Sequence, residues 1–245
     1  MLLLVWGVYV MIVRDVMSTK LTTVEPDDTL AHAANLFRQY GFHNLPVTRR
    51  VHTSLEGGVR TTLSTCEGLL YAQDIDLAAA VSQREDERRP WQERRVVELM
   101  HSAAIRVTPA ASVAAAAQML VERGLSCLPV VEYKQVENEV RSILVGLLTR
   151  SDLLLALSRS MGAFEPGMQL DVALPHGNMV PLARTLALAS ELRVHIRSVQ
   201  AAPLSDGTLD TATLRLGTIN PMPLLIRLKE EGIQYSFGSP LAGSK

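Results

Sequence analysis

Apolar residues recur at helical spacing in the stretch TLAHAANLFRQY. Leu30, Ala33, Ala34 and Phe37 stand at i, i+3, i+4 and i+7, which predicts an amphipathic helix. Gly41 follows where a terminal glycine closes a helix, and Asp27 or Asp28 is the expected cap at the other end. Before the helix, Leu21 to Val24 reads as a short extended piece. After it, HNLPV and CEGLLYA read as strands joined by the loop 52–61, which is rich in Gly, Ser and Thr. DIDLAAAVSQ reads as a second helix with Gln73 or Asp74 near its start. The predicted unit is strand–helix–strand–strand–helix.

The unit occurs twice. GFHNLPV, Gly41 to Val47, returns as GLSCLPV, Gly124 to Val130. With Val13 set on Val96 and no gaps, Met17 meets Met100, Val24 meets Val107, Pro26 meets Pro109 and Ala33 meets Ala116. The copies diverge in loop length and realign where GLLYAQD, from Gly68, meets GLLTRSD, from Gly146, so that Asp74 falls on Asp152. Repetition at this level marks two copies of one supersecondary unit. Between them, SQREDERRPWQERR alternates acids with bases, the pattern of a solvated linker over 82–95, with Trp91 expected to tuck onto a neighbour.

From Met168 the pattern changes. MQLDVALP alternates as a strand does, and NMVPLARTLALASEL is helical with Leu182, Thr185, Leu186 and Ala189 on one face. RVHIRSVQAAPL and TATLRLGTI read as strands around the turn SDGT. PMPLLIRLKEEG is a helix with proline in its first turn and glycine at its close, and IQYSFGS ends as a strand. The order βαββαβ is ferredoxin-like. The fold class expected for the whole chain is α+β.

Composition narrows the chemistry. A chain of 245 residues suggests two or three small domains, and 47% apolar residues suffice for real cores. A formal net charge of −1 lacks the footprint of a general nucleic-acid binder. Two cysteines, Cys66 and Cys127, make no disulfide framework and no C-x-x-C zinc pair, so a reducing, cytoplasmic setting is expected. The apolar opening MLLLVWGVYVMIV is shorter than the ~20 residues of a membrane span and lacks a preceding base or a cleavage signature. Residues 1–10 are expected to be a start-site extension or an apolar arm, and no membrane partner is expected.

The Leu-Pro-Val strand, the Gly-x-x-Thr-x-x-Asp signature and the order of elements over about residues 11–160 resemble the cystathionine β-synthase (CBS) domain in its tandem, or Bateman, arrangement. The domains expected from the resemblance are 11–81 and 96–160. It implies clefts between the units that hold adenosine ligands, AMP or ATP with or without magnesium, or S-adenosylmethionine. Asp152, at a helix start, would accept hydrogen bonds from a ribose diol, each worth about 1.5–3 kcal/mol with a charged acceptor. Thr149 would reach ribose or phosphate, and the helix amides favour an anion. Leu128, Pro129 and Val130 would wall the adenine, with Thr108 contributing from the segment that leads into the second copy. In the first copy Tyr71 replaces the threonine while Asp74 keeps the acid, and Thr23, His43 and Asn44 complete the candidate nucleotide residues. An aspartate at a helix start also serves as a plain cap.

Residues 168–240 resemble an ACT domain by order of elements. That implies an amino-acid or other small effector at the loop PHGNM, through His176, Gly177, Asn178 and Met179, although glycine and asparagine there also serve a plain strand–helix turn. Tandem CBS units before an ACT-like domain, with MIVRDVM at Met11, are similar to the acetoin utilization protein family, which implies a setting in carbon metabolism. The function expected is regulatory: ligand shifts the packing of the units, and the output passes to a partner protein or through a homodimer. The residues show no Ser-His-Asp context, no Walker loop and no clustered metal ligands, so neither catalysis nor a required cofactor is expected. An enzyme of acetoin metabolism and a scaffold with empty clefts are the alternatives.

Overall fold

The structure is a computed structural model and describes residues 11–54, 60–82, 90–102, 105–136, 139–162, 164, 167–201, 207 and 209–237. The arm expected at 1–10, the tip of loop 52–61, residues 83–89 of the linker, most of the turn SDGT and the last residues of the C-terminal unit lie outside this set. The chain divides into two compact units, Met1–Leu153 and Leu154–Lys245. Each carries its own sheet, so the class is α+β.

In the first unit the elements are α1 (Val13–Val16), α2 (Leu30–Tyr40), β1 (Asn44–Ser54), β2 (Arg60–Tyr71), α3 (Ala72–Ser82), β3 (His101–Ser102), α4 (Val113–Glu122), β4 (Cys127–Val136), β5 (Glu139–Thr149) and the start of α5 (Arg150–Ser160), whose residues from Leu154 on belong to the second unit. Helix α2 starts one residue later than its acids suggest. Thr29 is the cap and accepts from the His32 amide at 3.3 Å, while Asp28 accepts from the Glu25 amide at 2.8 Å and closes the turn around Pro26 instead. Ser112 caps α4 in the same way, accepting from the Ala115 amide at 3.2 Å. Gly41 and Gly124 follow α2 and α4 with φ of 65° and 64°, a conformation that costs glycine little.

The copies repeat even in their irregularities. Val47 pairs with Gly68 and Thr48 with Cys66, leaving Glu67 as a bulge; Val130 pairs with Gly146 and Val131 with Leu144, leaving Val145. The two hairpins join through Thr65 and Ile143, giving the strand order β1-β2-β5-β4 with β3 on β2.

The segments that lead into each copy are exchanged, a feature the linear pattern did not show. The Val13 amide donates to Ala111 O at 2.8 Å and Arg14 to Pro109 O at 3.0 Å, so the first leading segment docks on the second copy. Val96 donates to Asp28 O at 2.9 Å and Val97 to Pro26 O at 2.9 Å, the reciprocal contacts. Ser18 bridges Leu147 of β5, and His101 of β3 pairs with Leu69 of β2. Val96 thereby joins the core of Leu30, Phe37, Leu45 and Leu70, with Trp91 packed at its edge as the linker reading expected. Val13 joins Leu120, Leu128 and Leu148 in the other core. Burying a valine fully contributes about 1.5–3 kcal/mol, so each copy draws stability from the other's leading segment.

This exchange explains two glycines. A Cβ on Gly68 would stand 2.5 Å from His101 O, and one on Gly146 would overlap the Met17 sulfur. The seam between the copies is apolar: Leu69, Cys127 and Leu147 cluster with Leu21 and Tyr71, and Cys66 packs with Val131. Both thiols are therefore interior packing groups, and burial raises both pKa values, that of Cys127 to about 11.

The second unit contains β6 (Met168–Ala173), α6 (Val180–Glu191), β7 (Ile196–Gln200), β8 (Thr211–Leu216), α7 (Met222–Glu230) and β9 (Tyr235–Phe237). Its antiparallel sheet runs β7-β8-β6-β9, and the observed order of elements is βαββαβ, as the periodicities predict. Leu182, Leu188 and Ala189 of α6 enter its core with Leu170, Leu214 and Leu224. Thr185 is also fully buried there, its hydroxyl donating to Pro181 O at 2.8 Å. No helix among the described residues is long and apolar enough to cross a membrane.

Candidate functional site

The exchange of leading segments brings the two copies together around a cavity of about 480 Å³. The first copy supplies Ser18, Lys20, Leu21 and Thr22 from its leading segment and Gly41 to Asn44 from the turn after α2. The second supplies Ser126, Leu147 and, at the start of α5, Thr149, Arg150 and Ser151. Three basic side chains line it (Lys20, His43 and Arg150), and among the described residues no carboxylate does. Arg150 is steadied by donating Nε–H to Leu125 O at 2.8 Å, and Ser126 donates to Asn44 Oδ1 at 2.9 Å across the two copies.

Asp152 stands behind this wall. Its Oδ2 accepts from the Thr149 amide at 2.8 Å and from Thr149 Oγ1 at 2.7 Å. In turn the Asp152 amide lies 3.1 Å from Thr149 Oγ1, which makes the pair a reciprocal cap on α5. Its Oδ1 accepts from Ser18 Oγ at 3.2 Å. A carboxylate has about four acceptor sites, so half-buried Asp152 keeps capacity on Oδ1.

The corresponding place in the first copy is arranged differently. Asp74 Oδ2 pairs with His101 Nε2 at 2.9 Å, and the His101 ring meets Tyr71 edge-on with centroids 5.3 Å apart. Burial, then the nearby Cys127 and Asp74, raises the Tyr71 phenol above its ordinary 10.0, so it is a neutral group at physiological pH.

The candidate nucleotide residues thus do not converge on one place. Thr149, His43 and Asn44 line the cavity, with Asp152 directly behind Thr149. Asp74 lies on the opposite side of the pseudo-symmetric pair, held by His101. Leu128 and Val130 are fully buried in the core of the second copy, and Pro129 pairs with Leu147 while accepting from the Val107 amide at 3.1 Å. Thr108 is exposed in the turn closed by its own carbonyl on the Ala111 amide, and Thr23 is half-buried beside Val24. Lys20 and Arg150 were not singled out in the sequence. Arg150 lies inside the GLLTRSD signature and Lys20 in the first leading segment, but only the exchange of segments puts them across one cavity.

In the second unit, a cavity of about 430 Å³ is lined by Asn178, Val180, Arg184, Glu231 and Gly232, among others. Asn178 Oδ1 accepts from the Val180 amide at 3.0 Å. Arg184 NH2 donates to Glu231 Oε1 at 2.6 Å, and this hydrogen bond holds the Glu231 carboxyl below its ordinary range. His176 and Gly177 take positive φ of 54° and 74° in the turn before, and both His176 and Met179 are exposed. Among the described residues no group of three potential metal ligands converges.

Residues 13–57 and 96–159 match the family model of the CBS domain. These two stretches read as a pair of CBS domains. Over 141 residues it is 28% identical to the CBS domain-containing protein YhcV of Bacillus subtilis strain 168, covering 58% of this chain and 81% of that protein. Among solved structures, it is similar to a candidate acetoin utilization protein (AcuB) from Vibrio cholerae, with 22% identity, a TM-score of 0.46, and coverage of 64% of this chain and all of that one. It is also similar to CBSX2 in complex with AMP, with 21% identity, a TM-score of 0.44, and coverage of 61% and 97%. The CBS match ends at residue 159.

Proposed function

We propose that the chain is a regulatory module that senses an adenine nucleotide in the cleft between its two CBS units. The observation that carries this reading is the cavity of about 480 Å³ in which Lys20 and His43 face Thr149, Arg150 and the start of α5. Its volume falls within the ~300–1,000 Å³ of small-molecule sites. In this reading phosphate lies against Lys20, Arg150 and the first amides of α5, where helix dipole and backbone donors favour an anion. The ribose diol displaces Ser18 Oγ from Asp152 Oδ1 and meets Thr149, while Leu21 and Leu147 flank the base.

The charge of the lining orders the adenosine ligands. AMP and ATP bring the anion the basic residues need. S-Adenosylmethionine brings a sulfonium cation and no phosphate, so it binds more weakly. Bound nucleotide shifts the packing of the two units only as far as it prefers one arrangement over the other. The output passes to a partner or through a homodimer. Leu77 and Val121, 66% and 78% exposed, are apolar groups that a dimer of the helical faces would cover. The ACT-type reading of the second unit places a small effector beside Asn178 and Arg184. The resemblance carried by MIVRDVM makes carbon metabolism the setting in which to seek the regulated protein.

Titration calorimetry tests the reading. AMP or ATP is expected to bind wild type, and Arg150→Ala, Lys20→Ala and Asp152→Ala each to weaken binding about tenfold or more, equivalent to ~1.4 kcal/mol. Absence of binding by AMP, ADP and ATP alike overturns the reading, and sustained turnover of a bound nucleotide converts it to that of an enzyme.

A further inference from the structure

The two CBS copies are close enough in backbone to compare their clefts position by position. Ser18 bridges Leu147 in one cleft, and His101 pairs with Leu69 in the other; Gly146 and Gly68 occupy matching places beside them. In this register Thr149 matches Tyr71, Arg150 matches Ala72, Asp152 matches Asp74, and Lys20 matches Ala103 in the aligned sequence. The contact Ser18 Oγ to Asp152 Oδ1, 3.2 Å, therefore has its counterpart in His101 Nε2 to Asp74 Oδ2, 2.9 Å.

The counterparts differ chemically in one direction. A small hydroxyl at the long end of hydrogen bonding is easily displaced by a ribose hydroxyl of the same type. An imidazole that is shorter-bonded to the carboxylate and packed edge-on against Tyr71 is a bulkier and better-held occupant. In the aligned sequence alanines, Ala72 and Ala103, stand opposite the two cations that would neutralise phosphate in the Asp152 cleft. The hydroxyl of Thr149 is replaced by a phenol ring that carries an apolar wall into the same place.

We propose that the pair is functionally one-sided: His101 acts as a built-in occupant of the Asp74 cleft, and nucleotide enters only the Asp152 cleft. This rests on the nucleotide reading above and adds its stoichiometry, one ligand per chain. It also assigns His101 and Tyr71 as the residues that decide which cleft is open. Duplication then separates two tasks, with one copy's signature retained for binding and the other's used to brace the seam through the Tyr71–His101–Asp74 contacts.

Calorimetry with AMP distinguishes this inference from the reading beneath it. One site per chain is expected. Two sites per chain overturn the inference and leave the nucleotide reading standing; no binding overturns the nucleotide reading itself. Localisation is tested by two double variants made with the full chain, each checked for folding by circular dichroism. Thr149→Tyr/Arg150→Ala, which writes the first copy's residues into the second, is expected to weaken AMP at least tenfold. His101→Ala/Tyr71→Phe is expected to leave the affinity of the existing site within about twofold, about 0.4 kcal/mol. The reverse pattern, loss in the His101/Tyr71 variant with Thr149/Arg150 indifferent, places the ligand at Asp74 and overturns the inference. Arg150→Ala and His101→Ala alone, both at exposed positions, repeat the comparison if either double variant fails to fold.

Discussion

Gly68→Ala is expected to destabilise the first unit far more than Gly146→Ala, although the two glycines match in the repeat. Neither holds a positive φ, so alanine is allowed by the backbone at both positions, and the loss of chain freedom in the unfolded state favours it by about 0.4–1 kcal/mol. The difference lies in what the new methyl meets. At Gly68 it stands 2.5 Å from the carbonyl oxygen and 3.3 Å from the carbonyl carbon of His101, against 3.4 Å for the start of ordinary contact. Those atoms are backbone, and β2 is held along its opposite edge by β1, so β3 must move away. Overpacking of this kind costs about 1–3 kcal/mol, and each backbone hydrogen bond lost from β3 adds about 0.5–1.5 kcal/mol. The net expectation is about 2–4 kcal/mol. At Gly146 the obstacle is the Met17 side chain, an unbranched chain with three rotatable bonds that can swing aside. That variant is expected within about 1 kcal/mol of wild type. Urea unfolding followed by tryptophan fluorescence and circular dichroism reads the difference. With a slope of about 1–3 kcal/mol per molar, Gly68→Ala should lower the midpoint by on the order of 1 M or more. Equal loss in the two variants, or greater loss in Gly146→Ala, refutes the argument from exchanged segments.

Alkaline conditions are expected to weaken the fold through the seam cysteines. The Cys127 thiol, raised by burial from 9.0 to about 11, stays protonated in the folded chain where the unfolded chain ionises. Its contribution is complete below pH 9 and lost as the pH rises toward 11, and Cys66 shifts in the same direction. Urea midpoints should fall across that window in wild type and fall less in Cys127→Ala; identical slopes would sink the assignment. The reciprocal cap on α5 predicts that Thr149→Ala and Asp152→Ala each cost about 1 kcal/mol and that the double variant costs less than their sum, because one pair of contacts is removed in all three. Thermal unfolding of the four proteins measures this, and strict additivity would show that the two side chains act independently.

The resemblance to known CBS pairs made the repeated unit readable before any coordinates, but the clefts between the copies were not. Leu128 and Val130 follow Gly124 in the repeat and look like a wall for a base, yet the alternation of β4 and the bridge to Val107 turn them into the core. His101 gave little sign of a role in the linear chain, since its partner Asp74 is far away in sequence and is reached only when β3 pairs with β2. Asp28 looked like a helix cap because acids favour that position, but the turn at Pro26 used it first.

What the sequence determined by itself is local and periodic: amphipathic helices, alternating strands, glycines that close helices, and the duplication that makes two copies fold alike. These depend on spacing along the chain, which is fully written in the order of residues. Which copy each leading segment belongs to was decided only in three dimensions, where Val13 and Val96 gain burial in the opposite core. The same long-range packing set Lys20 across from Arg150 and brought His101 onto Asp74. Such contacts join residues far apart in the chain, and no period in the sequence encodes their pairing.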